Sequence, residues 1–398
     1  MPERFSEGDW TKIRAEFDQN AALYGLPPRR EGSMLMASFN IREMGSEANR
    51  TTAEWEFLAD MLRPFDFIAI QEVGDDLSGL RRIKRLLGDK YAIVVSDVTG
   101  VYPGVPGNPE RLAFVYNWEV VERREVASDI TFDRTSVLNL LADNLDNFRK
   151  ELKDYAKQRQ RHFKEPGKIK APDLTKVKLP VFLTFIRQPH CVAFEIKGAE
   201  GSDPISFIAV NAHLYYGTGT QTPRRQEIGA LIEWIRARLR ESEHVYAPNF
   251  ILLGDLNFDH NSEDDRKWSD NFLKAYNVAA GDEGRVNFPF LDRHRTQEGL
   301  LHDGEVFRTN ARLNQTYDQI GLFGPDGWVW NFDQNETLPV HSLGPDYGMF
   351  NFEELFAQAL FSQRFHELSE PDRDSIWERS EHKVSDHMPI WIRLPLPV

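Results

Sequence analysis

Short apolar runs recur along the chain at 34–41, 67–70, 92–95, 112–116, 192–196, 205–210, 250–253, 319–322 and 390–394, and most end on, or start from, a cluster of polar residues. Runs of this length bounded by turn formers read as buried strands. Helical patterns separate some of them. Residues 52–62 have helical spacing, and a longer helix is expected from Thr222-Pro223, an N-cap and first-turn pair, to Leu239, with Ile228, Leu231, Ile232 and Ile235 on one face. Many strands and few long helices predict an α/β (α+β) chain in which two sheets pack face to face with helices outside. No repeat of solenoid or propeller period and no low-complexity tract interrupts the pattern, which excludes those architectures.

The strand ends carry the chemistry. Asn40, Gln71-Glu72, Glu110-Arg111, Asn211-Ala212-His213, Gly254-Asp255-Leu256-Asn257 and Ser385-Asp386-His387-Met388-Pro389 all stand at such ends, and Tyr317-Asp318 precedes another strand. A single acid after an apolar run ordinarily marks a turn. So many in one chain require a second reason. Carboxylates with Asn carbonyls make a hard oxygen site for Mg²⁺, Mn²⁺ or Ca²⁺, whereas zinc would want cysteines and closely spaced histidines. Histidines beside carboxylates supply acid and base near neutral pH. Hard cation, His–carboxylate pairs and arginine together describe hydrolysis of a phosphate ester, with positive charge stabilising the phosphoryl oxygens.

Six segments in order, Ser38-Phe39-Asn40-Ile41-Arg42, Ile70-Gln71-Glu72-Val73, Asn211-Ala212-His213-Leu214, Gly254-Asp255-Leu256-Asn257, Tyr317-Asp318-Gln319-Ile320 and Ser385-Asp386-His387-Met388-Pro389, resemble the endonuclease/exonuclease/phosphatase superfamily. Details are similar to its deoxyribonuclease I branch: Gly45 after Phe39-Asn40-Ile41-Arg42, then Glu110-Arg111-Leu112-Ala113-Phe114-Val115-Tyr116, and Phe185-Ile186-Arg187-Gln188-Pro189. The resemblance implies a four-layer sandwich of two mostly antiparallel β-sheets flanked by helices. It implies Asn40 and Glu72 as ligands of the principal divalent cation with Asp386 nearby, and Asp255 and Asn257 as binders of phosphate or a second cation. It pairs His213 with Glu110 and His387 with Asp318 as acid–base machinery, with Asp255 as a further catalytic group and Arg187, beside Asn257 and His213, on the substrate phosphate. Departures are equally plain. The disulfide cysteines of the secreted animal enzymes are missing, and Gln319 stands where those have Arg.

Residues 135–180 break the strand rhythm and read as an inserted helical segment. Leu138, Leu141, Leu145, Phe148, Leu152 and Tyr155 form one apolar stripe of a long helix, which is expected to dock on the body. Within 149–178 eleven Lys and Arg face four acids, so this stretch is +7 and the remainder of the −14 chain is −21. Lys157, Arg159 and Arg161 are the expected contacts with a nucleic-acid backbone, which the acidic remainder would otherwise repel. One catalytic domain over 33–398, preceded by a helical extension at 1–32 ending at Pro27-Pro28 and interrupted again at about 325–380, accounts for the 398 residues.

Cys191 stands alone, so no intrachain disulfide and no disulfide-linked partner is expected, and charges crowd the first residues where an export leader needs an apolar run. A cytoplasmic protein with no membrane contact is the expectation. The leading functional reading is a Mg²⁺-dependent phosphodiesterase of nucleic acid, DNA ahead of RNA, of the endonuclease type. The alternatives are a phosphatase or phospholipase-like hydrolase of inositol-phosphate or sphingolipid headgroups, and a non-catalytic binding protein on the same fold.

Overall fold

The computed structural model describes residues 4–99, 109–132, 134–165, 167–172, 182, 184–198, 201–216, 221–240, 246–258, 262–278, 285–291, 306–324 and 347–397. In chain order its strands are β1 (Ser33–Met44), β2 (Phe67–Val73), β3 (Tyr91–Val95), β4 (Arg111–Asn117), β5 (Val121–Asp129), β6 (His190–Ile196), β7 (Ile205–His213), β8 (Phe250–Asp255), β9 (Arg285–Asn287), β10 (Asp318–Gly324), β11 (Tyr347–Met349) and β12 (Ile390–Pro395). Its helices are α1 (Glu7–Asn20), α2 (Thr52–Leu62), α3 (Ser78–Leu87), α4 (Arg134–Asp143), α5 (Leu145–Lys164), α6 (Gln221–Arg240), α7 (Glu263–Val278), α8 (Phe352–Phe361) and α9 (Glu370–Glu381).

The strands form two six-stranded sheets, ordered β11-β12-β1-β2-β4-β3 and β5-β6-β7-β8-β10-β9. Each holds one parallel pair at its centre, β1 with β2 and β7 with β8, and is otherwise antiparallel. Side chains alternate across a strand, and the second sheet divides its apolar residues accordingly. Phe207, Ala209, Ile251 and Leu253 join the core shared with the first sheet. Ile208, Val210, Phe250 and Leu252 face a separate core closed by Ile228, Leu231, Ile232 and Ile235 of α6. Phe67 meets Phe194 at 4.9 Å and Phe207 at 5.8 Å across the seam between sheets. On the outer face of the first sheet, Phe57 of α2 and Phe356 of α8 pack together at 5.3 Å. The four-layer sandwich is therefore the fold.

Local sequence explains the element ends. Thr51 accepts the amide of Glu54, whose carboxylate returns to the amide of Thr51, a capping box that starts α2. Ser6 and Asp9 do the same for α1, and Phe5, Trp10 and Ile13 bury in the core of the first sheet. That helix ends at Asn20 and a short 3₁₀ turn runs to Gly25 in the left-handed region, ahead of the two prolines expected to stop it.

Three expectations change. α6 begins at Gln221, so Thr222 lies within the helix rather than capping it. The single helix expected around 138–155 is two, because Asn144, with φ −117° and ψ 21°, breaks the run between α4 and α5. Its stripe is also not docked along its length: Phe148 is buried, but Leu138, Leu145 and Leu152 are exposed. The heptad-like spacing is present, but Asn144 divides it between two helices and Phe148 is the residue of the stripe that is buried. The part of the insertion at 173–181 and the part of the second interruption at 325–346 lie outside the described residues.

Candidate active site

Strand register brings the polar clusters to one edge. The parallel pairs end together, Asn40 opposite Gln71 in the first sheet and His213 opposite Asp255 in the second. Antiparallel neighbours must start where those strands end. Asp318 opens β10 opposite Asp255, Glu110 immediately precedes Arg111, which pairs with Val73, and Arg187 precedes β6, whose His190 pairs with Asn211. Ser385, Asp386 and His387 precede β12, whose Ile390 pairs with Ser38. A cleft of about 680 Å³ opens there, lined among others by Glu72, Glu110, Arg187, His213, Asp255, Asn257, Asp386 and His387.

Two histidine–carboxylate pairs face each other across Asp255. His213 Nδ1 lies 2.6 Å from Glu110 Oε2, and His387 Nδ1 lies 2.8 Å from Asp318 Oδ2. Each ring turns its other nitrogen toward Asp255 Oδ2, at 3.4 Å for His213 and 3.6 Å for His387. Burial, the largest influence, pulls His387 down, but Asp318 and Asp255 on its two sides overcome it and raise the imidazole well above its usual range. His213 is raised in the same sense: burial and Arg187 oppose its charge, and Glu110 and Asp255 outweigh them. Burial pushes Glu110 up, yet His213 and Arg187 hold it below the ordinary carboxylate range.

The hard-oxygen donors lie beside this group. Asn40 Nδ2 donates to Glu72 Oε1 at 3.0 Å and to Asp255 Oδ2 at 3.1 Å, which leaves Asn40 Oδ1 buried without a hydrogen bond. Asp386 Oδ1 is buried without one as well. A buried acceptor left unsatisfied costs free energy, so one such oxygen on the residue bonded to Glu72 and another on Asp386 in the cleft that Glu72 lines fit an oxygen-liganded divalent cation. Asp255, Asp318 and His387 also place ligand atoms within 4.8 Å of one another.

Backbone geometry aims these groups. Glu72 has φ 59° and Asn257 φ 49°, left-handed values uncommon for residues with a Cβ and characteristic of functional sites. Gly254 is required where it stands, since φ is 150° and a Cβ would collide with the carbonyl oxygen of Ala212. Ser385 Oγ donates to the Asn40 carbonyl at 2.6 Å and accepts the amides of Arg42 and His387, which locks the last cluster onto β1.

Several contributors escaped the sequence reading. Thr309 is buried, and its hydroxyl donates to Asp318 Oδ2 at 2.7 Å. Arg187 Nη2 pairs with Glu110 Oε1 at 2.7 Å, so one carboxylate serves both the arginine and His213. Glu227 of α6 is buried and accepts the amides of Ile186 at 3.1 Å and Tyr215 at 2.8 Å, neighbours of Arg187 and His213. Arg224 donates to the carbonyl of Asn257 at 3.2 Å. The only hint in sequence was helical position: Arg224 and Glu227 share the first turns of the helix that follows His213. Asn257 itself takes a backbone bond to Asp255 Oδ1 and donates its amide to Leu214 O, both at 2.9 Å. Lys157, Arg159 and Arg161 lie on the exposed surface of α5 and none of them lines the cleft. Gln319 points into the interior and bonds the Thr316 carbonyl.

The model of a family described as Endonuclease/Exonuclease/phosphatase matches residues 37–387. No curated protein matches the sequence. Among solved structures, a mannosyl-6-phosphatase of Bacteroides thetaiotaomicron VPI-5482 is 14% identical with a TM-score of 0.44, over 90% of this chain and 98% of that one. The human nocturnin catalytic domain with bound sulfate is 13% identical with a TM-score of 0.41, over 92% and 95%. A humanized D. rerio TDP2 is 11% identical with a TM-score of 0.43, over 91% and 99%. No helix among the described residues is long and apolar enough to cross a membrane.

Proposed function

The chain belongs to the endonuclease/exonuclease/phosphatase family, whose members hydrolyse phosphoester bonds and generally depend on divalent metal, and from that membership we propose a phosphodiesterase of nucleic acid, an endonuclease of the deoxyribonuclease I type. The observation that carries this reading is the convergence of two histidine–carboxylate pairs on Asp255 Oδ2. Hydrolysis of a phosphodiester needs one proton removed from the attacking water and one delivered to the leaving oxygen. Two imidazoles, each oriented through Nδ1 and presenting Nε2 to the same point, supply that pair of transfers. As the water oxygen bonds to phosphorus and the bond to the leaving oxygen breaks, one histidine takes the water's proton and the other protonates the departing oxygen. Asp255 between them orients the water, while Glu110 and Asp318 fix the tautomers and favour the imidazolium as it forms.

Asn40, Glu72 and Asp386 would hold a divalent cation, with Mg²⁺ the best match to an all-oxygen donor set, and the ion would supply positive charge to the phosphoryl oxygens. Arg187, anchored on Glu110 at the cleft wall, places a guanidinium beside the same phosphate.

The test is a panel of duplex DNA, single-stranded DNA, RNA, phosphoinositides and sphingomyelin, with Mg²⁺, Mn²⁺ or EDTA, run on wild type and His387→Ala. Metal-dependent cleavage of a nucleic acid, lost by a factor of about 10² or more in the variant, is the expected result. A headgroup preferred over every nucleic acid overturns it.

A further inference from the structure

Tyr216 lies three residues beyond His213 and lines the cleft with 57% of its surface exposed. It is nonetheless held. The buried guanidinium of Arg224 lies 5.4 Å over its ring centroid, and Arg224 is itself tied to the carbonyl of Asn257 in the site. Tyr317 meets the ring edge-on, with centroids 5.6 Å apart and planes at 63°. The ring of Tyr317 lies 5.9 Å from that of His387, so the aromatic wall runs continuously from open cleft to proposed acid–base group. A ring fixed from behind and open in front is preorganised to receive a flat partner at little entropic cost.

We infer that Tyr216, backed by Tyr317 and Arg224, is a stacking platform for the nucleobase that flanks the scissile phosphate; this rests on the nuclease reading above. The chemistry is suited to a substrate read without base specificity, because every base offers a π-face and an aromatic side chain stacks on any of them. It also answers the charge of the protein. With a net charge of −14, the chain gains little from the phosphate backbone at long range, and base stacking supplies affinity that electrostatics withholds.

The experiment uses a single-stranded oligonucleotide and its counterpart carrying one abasic residue, with cleavage mapped at each phosphate by wild type, Tyr216→Ala and Tyr216→Phe. Wild type is expected to cleave one phosphate adjacent to the abasic residue about tenfold less efficiently than the same phosphate in the intact strand, through KM. Tyr216→Ala is expected to lose about tenfold on the intact strand and nothing further on the abasic one, while Tyr216→Phe behaves as wild type. Equal losses by Tyr216→Ala on both strands, or no abasic effect in wild type, overturn the platform while leaving the nuclease reading intact. Cleavage of neither strand by wild type overturns the nuclease reading and the platform with it.

Discussion

Arg187 Nη2 sits 2.7 Å from Glu110 Oε1, and both side chains are about nine-tenths buried. The carboxylate that orients His213 is thus also the counter-ion of the proposed phosphate-binding arginine. Removing one partner of a buried pair costs roughly 3–5 kcal/mol where no other counter-ion remains and less here, since Glu110 keeps His213 at 2.6 Å, whereas removing both is closer to neutral. Arg187→Met is therefore expected to lower Tm, and Arg187→Met/Glu110→Gln to recover most of that loss, while activity stays low in both. Thermal unfolding beside kcat/KM checks this. A double variant no more stable than the single one would show that the pair is not coupled.

Asn40 Oδ1 and Asp386 Oδ1 are buried acceptors without hydrogen bonds, and a bound cation is what would satisfy them. Since a ligand that binds only the folded state stabilises it by about 2.7 kcal/mol at a hundred times its Kd, Mg²⁺ is expected to raise Tm of the wild type. Asn40→Ala, Glu72→Gln and Asp386→Asn should each abolish or strongly reduce the increment, whatever they do to the metal-free Tm. Differential scanning across a Mg²⁺ titration reads the increment directly, and an undiminished rise in all three variants places the cation elsewhere.

Much of this was legible in the chain because strand ends are where periodicity stops. The apolar runs before Asn40, Glu72, His213 and Asp255 each became a strand that ends at or just beyond the expected cluster. β5 was not legible. Val121–Asp129 carries Glu122, Arg123, Arg124 and Glu125 because it is an edge strand, and charge on an edge hides the apolar alternation while it blocks pairing with another chain. β9 and β11, at three residues each, are too short to show a period. The bonds from Thr309 to Asp318 and from Glu227 to two backbone amides depend on how loops return to the sheet edge, which no local pattern encodes.

Glu227 tests how far the site depends on those loops. Its two carboxylate oxygens each accept one backbone amide, from Ile186 and from Tyr215. Glutamine has the same shape but only one acceptor, so Glu227→Gln must set an amide group against a buried N–H. An unmet buried donor costs about 1–3 kcal/mol. The variant is expected to lose about tenfold in kcat as the segments bearing Arg187 and His213 shift, with a lowered Tm and no change in Mg²⁺ requirement. Unaltered kcat with a lowered Tm would reduce Glu227 to a structural role.

Lys157, Arg159 and Arg161 lie exposed on α5, where Lys157 has Asp154 at 3.5 Å and Arg159 covers the ring of Phe163 at 5.5 Å. Exposed cations that touch phosphates release counterions on binding, and each contact adds about 0.7 to 0.9 to the slope of log affinity against log salt. Reversing all three charges is expected to flatten that slope by two to three units in that scale, about 2–3, with kcat unchanged. KM measured on DNA from low to moderate salt decides it, and an identical slope in variant and wild type removes the insertion from the substrate interface.

Glu353 of α8 is remote from the cleft and fully buried, with the Ser380 hydroxyl on Oε1 and no hydrogen bond on Oε2. Burial pushes its carboxyl up to about 8, with Ser380 and Arg379 opposing only in part. In the unfolded chain a glutamate loses its proton near pH 4.3, so between about 4.3 and about 8 the folded protein keeps a proton that the unfolded chain has released. Stability contributed by this group therefore falls as pH rises through that window, and is level below and above it. The full span is on the order of several kcal/mol. Glu353→Gln preserves the shape without the charge and is expected to unfold several degrees above wild type at pH 9, with the gap closing as pH is lowered toward 5. Tm measured for both proteins across that range checks the sign, and a gap that is constant or widens on acidification would mean that Glu353 is not the group holding the extra proton.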